Sequence, residues 1–201
     1  MSEDRHRQRQ QKLKEQVASR VSAATLQGGI VMVFTGNGKG KTTAAFGTVC
    51  RAVGHGQRAG VIQFIKGEWP NGERQLLEPQ GVEFQGVEFQ VMATGFTWDT
   101  QDREHDTAAC LATWQHAKRM LLDDTLNLVL LDELTYMVSF GYLPLEQVIN
   151  ALRQRPVGQS VIITGRGCHR DLIALADTVS EMRPVKHAFD QGVQAQQGID
   201  W

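Results

Sequence analysis

Cysteine is scarce in this chain of 201 residues, with three in all: Cys50, Cys110 and Cys168. No two of them have the spacing of a metal site or a redox pair, which argues against a disulfide framework and for a reducing, cytoplasmic setting. Net charge is also nearly absent, at −1, so nothing global points to nucleic acid. Long apolar runs are missing: none approaches the roughly 18 residues of a membrane span. The N-terminus is charged where an export signal would be apolar. His105 and His116 have no partner at ligand spacing and read as ordinary helix residues. What remains is 41% hydrophobic and 21% charged, the balance of a soluble globular enzyme.

The most informative stretch runs from Phe34 through Thr35, Gly36, Asn37, Gly38, Lys39, Gly40 and Lys41 to Thr42 and Thr43. An apolar run, Ile30–Phe34, precedes it and a helical pattern from Thr42 to about Val53 follows, ended by Gly54-His55-Gly56. A buried strand, a glycine-rich turn, a lysine and a hydroxyl, then a helix, form the order of a phosphate-binding loop. Glycines let the backbone turn and aim its N–H groups at an anion, and the helix start adds further N–H groups and a positive dipole end. Lys41 supplies a mobile cation and the Thr42 hydroxyl a ligand for Mg²⁺ (or Mn²⁺). The spacing is one residue short: Thr35 stands where the first glycine of the usual pattern belongs. A Gly-Lys-Thr turn alone is commonplace, and the flanking elements give it weight.

Asn127–Leu131 leads apolar into Asp132 and Glu133, the arrangement of a Walker B strand whose carboxylate holds Mg²⁺ directly or through water. It falls roughly ninety residues after the lysine turn. The general pattern favours Asp132 as the nearer metal ligand.

Strand and helix patterns alternate through the rest. Ala59–Ile65 reads as a strand with Lys66-Gly67 at its end, where Lys66 would reach a phosphate. Glu73–Leu77 is a short helix. Gly81-Val82-Glu83-Phe84-Gln85 repeats at once as Gly86–Gln90, and the five-residue offset bars both copies from one regular strand. The second copy, joined to Val91-Met92-Ala93, is expected to hold the strand, and the first to protrude. Phe96 and Trp98 alternate in a loop after that strand, placed for ligand contact or for the core. Helix Arg103–Leu122 buries Cys110, Trp114, Ala117 and Leu121. Pro144 opens a helix with Leu145, Val148, Ile149 and Leu152 inward. Ser160–Thr164 is a buried strand leading to Gly165, Arg166 and Gly167, with Arg166 set to meet an anion. Asp171–Ala176 and Thr178–Met182 are a short helix and a last strand.

Residues 1–27, with six Lys/Arg against three Asp/Glu, form a basic helical arm with a narrow stripe of Leu13, Val17 and Val21. Residues 28–201 form the nucleotide-binding catalytic domain. The expected fold is α/β: three layers around a mainly parallel sheet, a P-loop NTPase of RecA-like architecture. On the residues alone the function is Mg²⁺–nucleoside triphosphate chemistry. A RecA-like ATPase, a nucleotide kinase and a non-catalytic nucleotide module all remain open.

Several stretches narrow this. Thr35–Ala45, Arg51–Gly56, Gln63–Gly67, Leu131-Asp132-Glu133, Thr164–Gly167 and Gln197–Asp200 together resemble the P-loop-type ATP:corrinoid, or cob(I)alamin, adenosyltransferases of bacteria. The resemblance runs from about Gly28 to the C-terminus. It implies that the cobalt of a reduced corrinoid such as cobalamin attacks C5′ of ATP and that triphosphate leaves, in cobalamin synthesis or salvage. It implies ATP bound in reverse orientation, Phe96 and Trp98 pressing beneath the corrin to displace its lower ligand, and the N-terminal arm closing over the corrinoid. It further implies Glu133 as the nearer metal ligand, a flavodoxin-type electron donor and a homodimer. The pentapeptide duplication departs from the family pattern.

Overall fold

The computed structural model describes residues 3–65, 71–78, 87–92 and 102–200. Six strands make one sheet: β1 (Val31–Thr35), β2 (Ala59–Gln63), β3 (Val87–Val91), β4 (Leu128–Asp132), β5 (Ser160–Thr164) and β6 (Thr178–Glu181). Their order is β3-β2-β4-β5-β1-β6 and every pairing is parallel. The expected "mainly parallel" sheet is therefore wholly parallel among the described residues.

The period-two alternation of the strands divides the core in two. Val129, Leu131, Val161 and Ile163 point to one face, where they meet Trp114, Ala117 and Leu121 of α4 (Arg103–Leu122) and Val148 and Leu152 of α6 (Leu145–Gln154). Leu128, Leu130 and Ile162 point to the other, against Ala45, Phe46 and Val49 of α2 (Lys41–Gly54) and Leu77 of α3 (Gly72–Leu77). Covered on both faces, β2 and β4 are buried at every position, which is why they read as unbroken apolar runs.

Boundaries moved by small amounts. β1 starts one residue later than expected, and Ala52 rather than Val53 completes the buried face of α2. Pro144 stands at the N-cap of α6, one position before the helix. α5 (Leu134–Ser139), directly after β4, had no sequence signal of its own, and α7 spans Arg170–Leu175. β6 is an exposed edge strand. The second pentapeptide copy holds β3; the first lies outside the described residues.

α1 (Glu3–Ala23) ends short of Gly28-Gly29, and Leu13, Val17 and Val21 are all more than half exposed. The chain then enters the domain by a close backbone approach. Gly29 N–H donates to Val157 O at 2.7 Å, and a Cβ at Gly29 would lie 2.1 Å from Gln159 O.

Gln159 closes the far end of α4. Its buried amide nitrogen donates to the carbonyls of Met120, Asp123 and Leu126 at 3.0, 3.0 and 3.2 Å. Helix ends leave carbonyls unpaired, and burying them without a partner is costly. Gln159→Leu is expected to lower unfolding stability by about 1–3 kcal/mol, measured by urea denaturation, with nucleotide binding retained.

Candidate active site

The turn from β1 into α2 lies at the carboxyl end of the sheet, where open α/β folds place their ligands. It is tied to the end of β6: Met182 N–H donates to Thr35 O at 2.8 Å and Gly38 N–H to Met182 O at 2.7 Å. This contact explains two of the glycines. A Cβ at Gly36 would lie 2.4 Å from Met182 O, and one at Gly38 2.8 Å from the Met182 carbonyl carbon. Gly36 (φ 98°) and Gly40 (φ 112°) also hold left-handed backbone. Gly40 caps α2 without any side-chain bond to the first turn, so the helix's leading N–H groups have no capping side chain competing for them.

The cleft beside this turn has a volume of about 610 Å³ and draws its walls from several separate parts of the chain. Lys39–Thr43 form the floor, Glu133, Tyr136 and Arg166 one side, Gly72, Glu73 and Leu76 of α3 another, and Gly198–Asp200 the rim. Expected site residues Lys39, Gly40, Lys41, Thr42, Thr43, Glu133 and Arg166 are thus brought together. Gly36 and Gly38 lie behind the loop against Met182, and Asn37 is exposed outside the lining. Lys66, Phe96 and Trp98 lie outside the described residues.

Lys41 is 7% exposed, and its ammonium donates to Gly38 O at 3.0 Å. Burial is the main force on it and lowers its pKa from 10.5; Glu133 opposes this, Arg166 adds to it, and Asp132 opposes it. The folded protein therefore disfavours the charged lysine. That destabilisation is complete below the lowered folded value and fades as pH rises from there towards 10.5.

Asp132 is fully buried and filled with donors. Its Oδ1 accepts from Thr42 Oγ1 at 2.9 Å and Thr164 Oγ1 at 2.7 Å, and its Oδ2 accepts from Gln63 Nε2 at 3.1 Å. Thr164 Oγ1 in turn accepts from Glu133 N–H at 2.9 Å. Glu133 is the one non-glycine residue with positive φ, 59°, among those described. Such a conformation costs of order 1–3 kcal/mol, and it turns the chain so that Asp132 faces inward while Glu133 lines the cleft. Gly165 makes the room: a Cβ there would lie 2.0 Å from Thr135 Oγ1 and 3.2 Å from Glu133 Oε2. Thr135 then donates to Arg166 O at 2.7 Å, tying the arginine's turn to α5.

Thr42 and Glu133 line the cleft as hard oxygen donors, which suits Mg²⁺ with water completing its shell, whereas Asp132, expected as the nearer ligand on the general pattern, is buried behind them with its oxygens already bonded. Among the described residues, no cluster of three or more His, Cys, Asp or Glu is placed for a metal.

Gln63, Asn71, Thr135, Tyr136, Thr164 and the Gly198–Asp200 rim were not singled out as site residues by sequence reasoning. Gln63 carried a signal, a polar side chain inside the apolar run of β2. The rim lies in a stretch that carried the family resemblance, Gln197–Asp200, but nothing local showed its contact: Asp200 reaches back 161 residues to pair with Lys39 at 2.5 Å, and that bond is the first cause of its lowered pKa.

This fold and cleft define an α/β protein of P-loop NTPase-like architecture. The family "ATP:corrinoid adenosyltransferase BtuR/CobO/CobP" matches residues 27–201. The chain is 70% identical over its whole length, and theirs, to "Corrinoid adenosyltransferase" of Escherichia coli K12 and to "Corrinoid adenosyltransferase CobA" of Salmonella typhimurium LT2. It is 44% identical to the "Corrinoid adenosyltransferase" of Pseudomonas aeruginosa PAO1, covering 99% of this chain and 97% of that one. The chain belongs to the ATP:corrinoid adenosyltransferase family.

Lys41→Met removes the buried charge at the cleft floor. Nucleotide binding, measured by calorimetry, is expected to be lost. The nucleotide-free variant is expected to melt above the parent at pH 7, with the gap closing as pH approaches 10.5.

Proposed function

We propose that the protein transfers the 5′-deoxyadenosyl group of ATP to the cobalt of a reduced corrinoid, cob(I)alamin or a precursor, and releases inorganic triphosphate. The match to the adenosyltransferase family across residues 27–201 carries this reading. The cobalt lone pair forms the Co–C5′ bond as the C5′–O bond breaks, and that bond's electrons leave on triphosphate. Because the substrate's metal is the nucleophile, the protein needs no serine, cysteine or base of its own. Its work is positioning and stabilising the leaving group.

The loop from Gly36 to Thr43 would grip the triphosphate, with Lys39, Lys41, Lys66 and Arg166 as its cations. Thr42 and Glu133, which line the cleft, would hold Mg²⁺, and Asp132 would orient Thr42 from behind. The ion supplies neutralisation of charge on the leaving phosphates. Phe96 and Trp98 would lie under the corrin and displace its lower ligand, easing reduction of Co(II). The reductant would be a flavodoxin-type donor, and the working form a cytoplasmic homodimer whose basic arm, residues 1–27, closes over the corrinoid. Among the described residues, no helix is long and apolar enough to cross a membrane.

The test is anaerobic incubation of protein, Mg²⁺–ATP and chemically reduced corrinoid. Triphosphate and a light-sensitive cobalt–carbon bond are expected in equal amounts; ADP without adenosylated corrin would instead indicate an ATPase or kinase. Phe96→Ala and Trp98→Ala are expected to leave ATP affinity unchanged and to slow turnover from Co(II) corrinoid about 10-fold or more.

A further inference from the structure

The carboxylate of Asp132 begins a buried chain of hydrogen bonds that leaves the phosphate end of the cleft and ends on the opposite wall. Gln63 Nε2 donates to Asp132 Oδ2 at 3.1 Å, and Asn71 Nδ2 donates to Gln63 Oε1 at 2.9 Å. Asn71 Oδ1 then accepts from Arg74 N–H at 3.1 Å, which makes Asn71 the N-cap of α3. Asp132, Gln63 and Asn71 are 0, 1 and 6% exposed. α3 places Gly72, Glu73 and Leu76 in the cleft wall.

The direction of this chain is forced. An ionised carboxylate only accepts, so Gln63 must turn its NH₂ to Asp132 and leave its oxygen for Asn71. Asn71 must then donate on one side and accept on the other. Aspartate and serine cap helices as well as asparagine does, but aspartate has no donor and serine's hydroxyl is shorter. An isolated N-cap does not need asparagine; this position does.

The geometry points to Gln63 and Asn71 as positioning residues for the nucleotide. They lock the start of α3 to the Asp132–Thr42 pair, so that the phosphate grip and the facing wall hold one spacing. With aspartate at 71, Gln63 would swing its NH₂ round to that carboxylate and set its own oxygen against Asp132 Oδ2. The hold on Asp132, and through it on the Thr42 hydroxyl, would be lost while the helix cap survived.

The inference rests on the nucleotide reading of the cleft, and the experiment separates the two. ATP with Mg²⁺ is titrated calorimetrically into the parent chain, Asn71→Asp, Asn71→Ser, Gln63→Met and the double variant Gln63→Met/Asn71→Asp, with thermal melting of each. Both Asn71 variants are expected to keep a single cooperative melt, lowered by the lost buried bond, and to bind Mg²⁺–ATP at least about fivefold more weakly, and the double variant to bind no more weakly than Gln63→Met alone. Parental affinity in either Asn71 variant overturns the inference, since in the serine variant it would make the aspartate's effect one of charge alone. So do losses that multiply in the double variant, or an equal loss of affinity in Gln159→Leu, which is destabilised at the far end of α4 and away from the cleft. A parent chain that binds no Mg²⁺–ATP overturns the nucleotide reading and the inference with it.

Discussion

Everything at the carboxyl end of the sheet depends on how the buried carboxylate of Asp132 is satisfied. A charge removed from water must have its lone pairs filled by the protein. Here three donors do so, one from each of three elements: Thr42 from α2, Thr164 from β5 and Gln63 from β2. The ion thereby fixes the phosphate loop's helix against two neighbouring strands. Replacing any donor by an apolar group would strand part of the charge and also loosen the helix start.

The same centre explains the strain beside it. Consecutive strand residues point to opposite faces, so Asp132 and Glu133 could not both serve the phosphate end if β4 ran on. The left-handed turn at Glu133 breaks the alternation, and the bond from its N–H to Thr164 Oγ1 holds the turn in place. Thr164 is thus used twice, as donor to one carboxylate and as acceptor for the backbone of the next. Gly165 follows because a side chain there would collide with Thr135.

Most of the frame was legible because it rests on local patterns. The apolar runs at 128–131 and 161–163, the turn at 36–42 and the limits of α4 follow from periodicity and, at the turn, from glycine punctuation. The residues that went unread act through distant partners. Gln63 meets Asp132, Thr135 meets Arg166, and Asp200 meets Lys39 across the length of the domain. α5 was missed for a related reason: it is only six residues long, and its buried Leu134, Thr135 and Met137 give too short a run to show a helical period. The role of Gly36 and Gly38 was half read. A tight turn was anticipated, but the backbone of Met182 that lies against them follows β6, 144 residues beyond Gly38.

The cations of the cleft are arranged unequally, and that inequality has chemical sense. Lys41 is buried against a carbonyl with its charged form disfavoured, whereas Lys39 is exposed and already holds a carboxylate, that of Asp200. A polyphosphate entering the cleft would relieve the first and compete with a tail residue for the second. The resting site therefore keeps a buried, desolvated cation at Lys41, beside the start of α2 and the Thr42–Asp132 pair. A leaving group that gains negative charge as its bond to carbon breaks is best met there, by groups already desolvated and held in place.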